Sequence, residues 1–259
     1  MSLLESDSDS LALTRRHFIE SLKFPLLAVA FLWLVHLWQM ADNFDPGMYG
    51  IMSRRVWGLR GIVTGPLVHG SWKHLISNSV PLFVLAFISL YFYRKVAMQA
   101  FWLIYFLTGA AVWLFARPVS HIGASGVVYG LVAFIFWNGI FRRSLRSIVL
   151  AAIVMLLYSG MFMGVLPDQE GISWESHLLG SLVGIFVAFL FKAELEEEEE
   201  AAEADRHVRN EPEIKTPFLA ADVFEKTKTQ RVWEAEEEAR RQRDASEFVP
   251  PFWNQDKTW

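Results

Sequence analysis

Six apolar stretches dominate the first three-quarters of the chain, at roughly 24–40, 75–93, 97–116, 126–141, 148–166 and 173–191. They are apolar all round rather than striped at the 3.6-residue period, as helices in lipid or in a deep core are. Most approach the ~20 residues that a helix needs to cross a ~30 Å hydrocarbon layer. A soluble all-helical protein with six such helices would keep little amphipathic surface to present to water. The pattern therefore predicts an all-α fold: a polytopic bundle of six transmembrane helices over 24–192. A polar cytosolic segment, 1–23, precedes it, and an acidic tail, 193–259, follows. The stretch 41–74 carries Asp45-Pro46-Gly47, Gly58, Gly61, Gly65, Pro66 and Trp57. It reads as a structured, partly membrane-associated loop rather than a linker. Trp33, Trp38, Trp72, Trp113, Trp137 and Trp174 near the ends of the runs are expected at the membrane interfaces.

Charge orients the bundle. With the N-terminus inside, Arg15, Arg16, Lys23, Arg94, Lys95, Arg142, Arg143, Arg146 and Lys192 fall on the inner side. Arg54, Arg55, Arg60, Lys73 and Arg117 fall outside. The excess of basic residues inside, clustered at helix ends, predicts an N-in, C-in topology. The first apolar run starts only at Phe24 and no small-residue cleavage site follows it, which is not the pattern of a secretory signal peptide. A bacterial cytoplasmic (inner) membrane is the expected location.

The net charge of −4 hides a split. Residues 1–192 hold 14 Lys/Arg against 9 Asp/Glu, net +5, and residues 193–259 hold 10 against 19, net −9. A nucleic-acid binder with a basic face does not have this distribution. The run Glu196–Glu200 is expected to stay solvated, in a tail that is disordered or partly helical. Residues 224–244 alternate in charge and suit a polar helix, and Phe248-Val-Pro-Pro-Phe-Trp253 could dock on a partner of unknown kind. The absence of cysteine excludes disulfide frameworks and thiol chemistry.

Polar groups in apolar spans are costly and so mark candidate chemistry. Three even-numbered runs open with such groups: His74 and Asn78, Gly123-Ala-Ser125-Gly126, and His177. Even spans run in one direction, so depth can be counted back from the inner charges. Ser125 stands 17 residues before Arg142, His177 15 before Lys192 and Asn78 16 before Arg94. At ~1.5 Å per residue the three heights agree within about 3 Å, with His74 one turn higher. One hydroxyl, two imidazoles and one amide are thus expected in a shared layer, a set suited to acyl transfer. Ser125 is the candidate nucleophile and His177 the candidate base. His74, Asn78 and the Ser125 backbone N–H could hold an oxyanion. Gly123 and Gly126 permit a sharp turn before the helix. Gly126 and Gly130, and Gly180 and Gly184, have the four-residue spacing that lets membrane helices approach closely. Tyr129 shares a face with Ser125 and could stack on His177. The nearby carboxylate is Glu175, two residues before His177, so a Ser–His dyad without a third acidic member is expected. A zinc site is not, since neither carboxylate nor cysteine lies in the layer. No cofactor is called for. His36 reads as a packed histidine and His121 as an ordinary loop residue.

The strings His69-Gly-Ser-Trp-Lys-His74-Leu-Ile-Ser-Asn78, Gly123-Ala-Ser125-Gly126-Val-Val-Tyr129-Gly130 and His177-Leu-Leu-Gly180-Ser-Leu-Val-Gly184 resemble those of the rhomboid intramembrane serine proteases. The resemblance covers roughly 24–192. It implies Ser125 as nucleophile, His177 as general base, and His74, Asn78 and the Ser125 N–H as oxyanion hole. It further implies that His69 supports the site and that Tyr129 packs on His177. Its expected substrates are single-span membrane proteins, cut in or near the bilayer. The fifth span and the loop 167–173, with Gly164, Pro167 and Gly171, would be the substrate gate. Many rhomboids carry a Trp-Arg pair in the first outer loop; here Trp57-Gly-Leu-Arg60 has a different spacing. Two other readings compete: a catalytically silent rhomboid-like protein that binds membrane clients, and a small-molecule transporter. Silent relatives typically lose the serine or the histidine, and both are present here. Against the transporter stand the lack of inverted repeats and of buried carboxylates.

Overall fold

The computed structural model describes residues 3–167, 173–194 and 226–247. Contacts divide the chain into two units, Met1–Glu203 and Ala204–Trp259.

In the first unit, α1 spans Leu3–Asp42, a short antiparallel pair joins β1 (Ile51–Met52) to β2 (Ser120–His121), and α2 covers Gly61–Thr64. The longer helices are α3 (Trp72–Phe92), α4 (Ala97–Phe115), α5 (Ser125–Arg142), α6 (Leu145–Tyr158) and α7 (Trp174–Leu190). Helices α1 from Leu11, α3, α4 and α5 are long and apolar enough to cross a membrane. At 14 and 17 residues, α6 and α7 are shorter. Two departures from the hydropathy reading stand out. Helix α1 begins far ahead of the first apolar run, so the polar residues up to Lys23 extend the same helix. The fifth run, 148–166, is not one α-helix: α6 stops at Tyr158 and the chain tightens into a 3₁₀ segment, Ser159–Val165.

Helix α5 is the axis of the unit, with 61% of its apolar window inside the fold against 17% for α1. Leu75 and Leu85 of α3, Ile104 of α4, Phe134 and Ile135 of α5 and Val154 of α6 are almost completely buried around it. Apolar side chains on the outer faces, such as Leu27, Phe106, Leu156 and Phe186, are exposed, as lipid-facing positions are. Polar groups within the helices bond locally: Asn138 donates to the Phe134 carbonyl, 2.8 Å, and Ser79 to that of Leu75, 2.8 Å.

The contact between α5 and α7 is made by backbone. A methyl group on Gly180 would overlap the Gly126 carbonyl oxygen, and one on Gly184 would overlap that of Gly130. Both pairs ascend together, so α5 and α7 run in the same direction. Helix α3 is parallel to them: His74 lies against Gly123 just before α5, and Tyr93, just beyond α3, meets Phe134 with ring centroids 5.8 Å apart.

Residues 43–71 carry three 3₁₀ turns around β1 and α2. Arg60 stacks over Trp57 at 5.8 Å and Tyr49 at 5.6 Å, and donates to the Met48 carbonyl. The Trp57–Arg60 spacing thus still brings the two side chains together. Ile51 pairs with His121 and Met52 with Ser120, which anchors the strand leading into α5.

In the second unit, α8 spans Lys228–Glu247 and is predominantly polar, with Val232 and Trp233 exposed on it. Thr227 and Gln230 cap it reciprocally: each side chain accepts from the other's backbone N–H. The acidic run 196–200 and the segment 248–253 lie outside the described residues.

Substitution of Gly180 by Val should force α5 and α7 apart and lower stability by about 1–3 kcal/mol, the usual range for overpacking. Gly70, whose added methyl meets only Ile122 among the described residues, at 3.6 Å, should accept Ala with little change. Thermal unfolding in detergent would compare the two.

Candidate active site

The N-terminal ends of α3, α5 and α7 converge on one cavity of about 790 Å³. His74, Asn78, Ser125, Tyr129 and His177 line it together with Lys73 and Arg117. Each arrives there for a local reason. Ser71 caps α3 by accepting from the His74 backbone N–H, 3.2 Å, which starts the helix where His74 and Asn78 face the cavity. Gly123 has φ of +95°, a conformation that favours glycine, and its N–H donates to the Gly65 carbonyl, 2.9 Å. The chain thereby turns sharply enough for α5 to begin at Ser125 itself.

Ser125 and His177, 52 residues apart, are hydrogen-bonded, with Ser125 Oγ 2.8 Å from His177 Nε2. The other ring nitrogen, Nδ1, lies 2.8 Å from the Gly164 carbonyl oxygen. A carbonyl only accepts, so Nδ1 carries the proton and Nε2 presents its lone pair to the serine hydroxyl. Tyr129 stacks flat on the imidazole, centroids 4.0 Å apart and planes 8° from parallel. The ring is therefore held in plane by the stack and in tautomer by Gly164.

The third partner of the histidine was not legible in the sequence, where Gly164 read only as a possible hinge. No side chain marks a carbonyl acceptor, and the 3₁₀ segment that delivers it lies in a run that reads as helix. Glu175, the nearby carboxylate, binds Arg117 instead, 2.8 Å.

His74 and Asn78 meet beside Gly123, two residues before Ser125. A methyl on Gly123 would stand 2.5 Å from His74 Nε2 and 3.3 Å from Asn78 Nδ2. The Asn78 Nδ2 group is buried and has no hydrogen-bond partner among the described residues. A donor in that position is suited to a developing oxyanion. His69 is completely buried beside His74, ring centroids 5.0 Å apart. Burial pushes its imidazole down to about 3, with the neighbouring His74 adding to the shift, so it is neutral at ordinary pH.

Gly126 and Gly180 act through the helix contact described above. His121 departs from its reading as an ordinary loop residue. It is buried, donates from Nε2 to the Arg117 carbonyl, 3.0 Å, and accepts at Nδ1 from Ser173 Oγ, 2.5 Å. Ser173 in turn bonds Ser176, 2.6 Å, beside His177. Burial also pushes the His121 imidazole down from its usual value. The sequence holds no motif for this chain of contacts; only the fold brings 117–121 against 173–176. His36 is packed as expected, fully buried and edge-on to Trp72.

Gly164 offers a direct test of the tautomer-setting contact. An added methyl there would overlap the Tyr129 hydroxyl and crowd His177 Nδ1 at 3.1 Å. Gly164→Ala should slow the reaction of Ser125 with a fluorophosphonate by about tenfold or more, a part of the roughly 10²–10⁴-fold that a well-positioned proton acceptor contributes. Gly160→Ala, where nothing among the described residues lies within 4 Å, should react like the unaltered protein.

The Rhomboid domain family matches residues 54–194, more than half of the chain. Among known proteins, an uncharacterized protein of Mycobacterium tuberculosis is 34% identical over 177 residues, covering 65% of this chain and 74% of its own length. An uncharacterized protein of Mycobacterium leprae is 31% identical over 177 residues, 65% of this chain and 70% of its own. Rhomboid-like protease 5 of Toxoplasma gondii is 26% identical over 152 residues, which are 54% of this chain and 16% of that protein. With its apolar helices and the matched domain, the chain is an integral membrane protein of the rhomboid family.

Proposed function

We propose that this protein is an intramembrane serine endopeptidase that cuts single-span membrane proteins in or near their transmembrane segment. The observation that carries the reading is the Ser125–His177 hydrogen bond, 2.8 Å, with the far side of the imidazole held by the Gly164 carbonyl. Ser125 Oγ attacks the scissile carbonyl carbon while His177 Nε2 takes the hydroxyl proton. The oxyanion forms beside Gly123, where His74, Asn78 Nδ2 and the Ser125 backbone N–H donate to it. The positive end of the α5 dipole adds to this field. Collapse breaks the peptide bond, and His177 passes its proton to the leaving amine. Water, deprotonated by the same imidazole, then attacks the acyl-serine; the bond from the acyl carbon to Ser125 Oγ breaks, His177 returns the proton to that oxygen, and the second product leaves. The dyad needs no carboxylate and no metal.

The same reading takes α1, α3, α4, α5, α6 and α7 as six spans, N-in and C-in, in a bacterial cytoplasmic membrane. Support for the topology comes from the basic residues at the inner helix ends, and support for the bacterial setting from the mycobacterial relatives. The domain limits are 24–192 for the catalytic membrane domain and 193–259 for a cytosolic tail. The substrate gate would be the fifth span with the loop 167–173, of which residues 168–172 lie outside the described residues.

The purified protein in detergent should cleave a single-span reporter, and Ser125→Ala and His177→Ala should each lower the rate by at least about 10³-fold. Equal cleavage by the alanine variants would assign the activity elsewhere. No cleavage together with no fluorophosphonate labelling of Ser125 would favour the silent, client-binding reading. Topology is read separately. The chain has no cysteine, so single cysteines report sidedness cleanly. Met48→Cys should react with an impermeant maleimide from outside the cell, and Lys95→Cys only after the inner face is opened.

A further inference from the structure

Helix α1 lies outside the matched domain, 54–194, yet one of its faces reaches the site. Trp33, His36 and Gln39 recur every three residues and so share that face. Gln39 is 2% exposed, and its Nε2 donates to the His69 main-chain carbonyl, 3.0 Å. His36, fully buried, stands edge-on to Trp72 with centroids 4.5 Å apart. Trp33 lies 5.9 Å from the same Trp72 ring and donates from Nε1 to Ser79 Oγ, 3.1 Å. The His69 ring, finally, packs on His74. The contacts of α1 thus bracket the stretch 69–79, which carries His74 and Asn78.

Docking of α1 does not need the polar pair. Farther along the two helices, Phe18 packs on Phe87 at 5.3 Å and on Tyr91 at 6.2 Å. A leucine at 39 would bury more apolar surface without a polar atom to satisfy. The amide instead leaves Gln39 Oε1 without a partner among the described residues, as are both ring nitrogens of His36. A group that adds one directional bond and leaves a buried acceptor unmade is a poor source of stability and a good source of register.

We propose that Gln39, supported by His36, is a positioning residue: α1 sets the height and rotation of the 69–74 segment so that His74 Nε2 faces the point beside Gly123 where negative charge collects. The inference rests on the serine-protease reading given above.

A double-mutant cycle tests it on the full chain in detergent, with the rate of fluorophosphonate labelling of Ser125 as the readout. Gln39→Met should slow labelling about tenfold, less than the roughly 10²–10³-fold lost when an oxyanion donor is removed outright, because here the donor is displaced and not deleted. In a His74→Ala background the same substitution should change the rate by less than about twofold, because the group it acts through is gone. Equal slowing in both backgrounds, or none in the unaltered background, overturns the proposal. Gln39→Glu supplies a second arm if Gln39→Met does not fold. Its carboxylate repels the His69 carbonyl, whereas its protonated form donates to it. Its rate relative to the unaltered protein should therefore recover reversibly as pH falls from about 8 to about 5.5, toward and past the pKa of a desolvated carboxyl. A pH-independent ratio overturns the proposal. If the unaltered protein is not labelled at Ser125, the protease reading has failed and the positioning role falls with it, an outcome distinct from a labelled protein indifferent to Gln39.

Discussion

Helices α5 and α7 touch backbone to backbone, Gly126 against Gly180 and Gly130 against Gly184, with no room for a methyl group between them. In a membrane the hydrophobic effect does not push helices together, because lipid tails are as apolar as leucine. Close packing and polar contacts must do it. The glycine pairs supply the first, and the approach they allow puts a hydroxyl at the head of one helix within a hydrogen bond of an imidazole at the head of the other. A side chain at Gly180 or Gly184 would run into the facing carbonyl and push the two helices apart.

Around this contact the fold solves a second problem, the orientation of a histidine that no carboxylate among the described residues binds. The nearby acid, Glu175, is engaged with Arg117. The task passes to a main-chain carbonyl, that of Gly164, and to the flat stack of Tyr129. A neutral acceptor does not stabilise an imidazolium as a carboxylate does. It also avoids placing an extra charge in an apolar layer, where charge is costly. The break of the fifth apolar run into a 3₁₀ segment is what delivers that carbonyl.

The third helix of the site is held from outside the matched domain. Helix α1 grips the stretch 69–79 through Gln39, His36 and Trp33, while the β1–β2 pair and the Gly65 carbonyl fix the turn at Gly123. Each of the three heads is therefore tied down by a different neighbour: α3 by α1, α5 by the segment between α1 and α3, and α7 by the chain Arg117–His121–Ser173–Ser176.

Much of this was present in the one-dimensional pattern. The apolar runs, the four-residue glycine spacings and the polar residues that open alternate runs predicted helices, their close contact, and a shared layer for Ser125, His177, His74 and Asn78. Such features are local or periodic, and a helix converts spacing into position by a constant rise. The sequence by itself did not determine that α1 begins near Leu3, since polar and apolar residues alike can continue a helix. Nor did it determine that α6 ends at Tyr158, that Gly164 holds the His177 ring, that His121 is buried, or that Gln39 reaches His69. Those depend on main-chain carbonyls and on contacts between residues 13 to more than 50 positions apart. Carbonyls are the same at every residue and leave no mark in composition, so only the tertiary structure decides which of them is used.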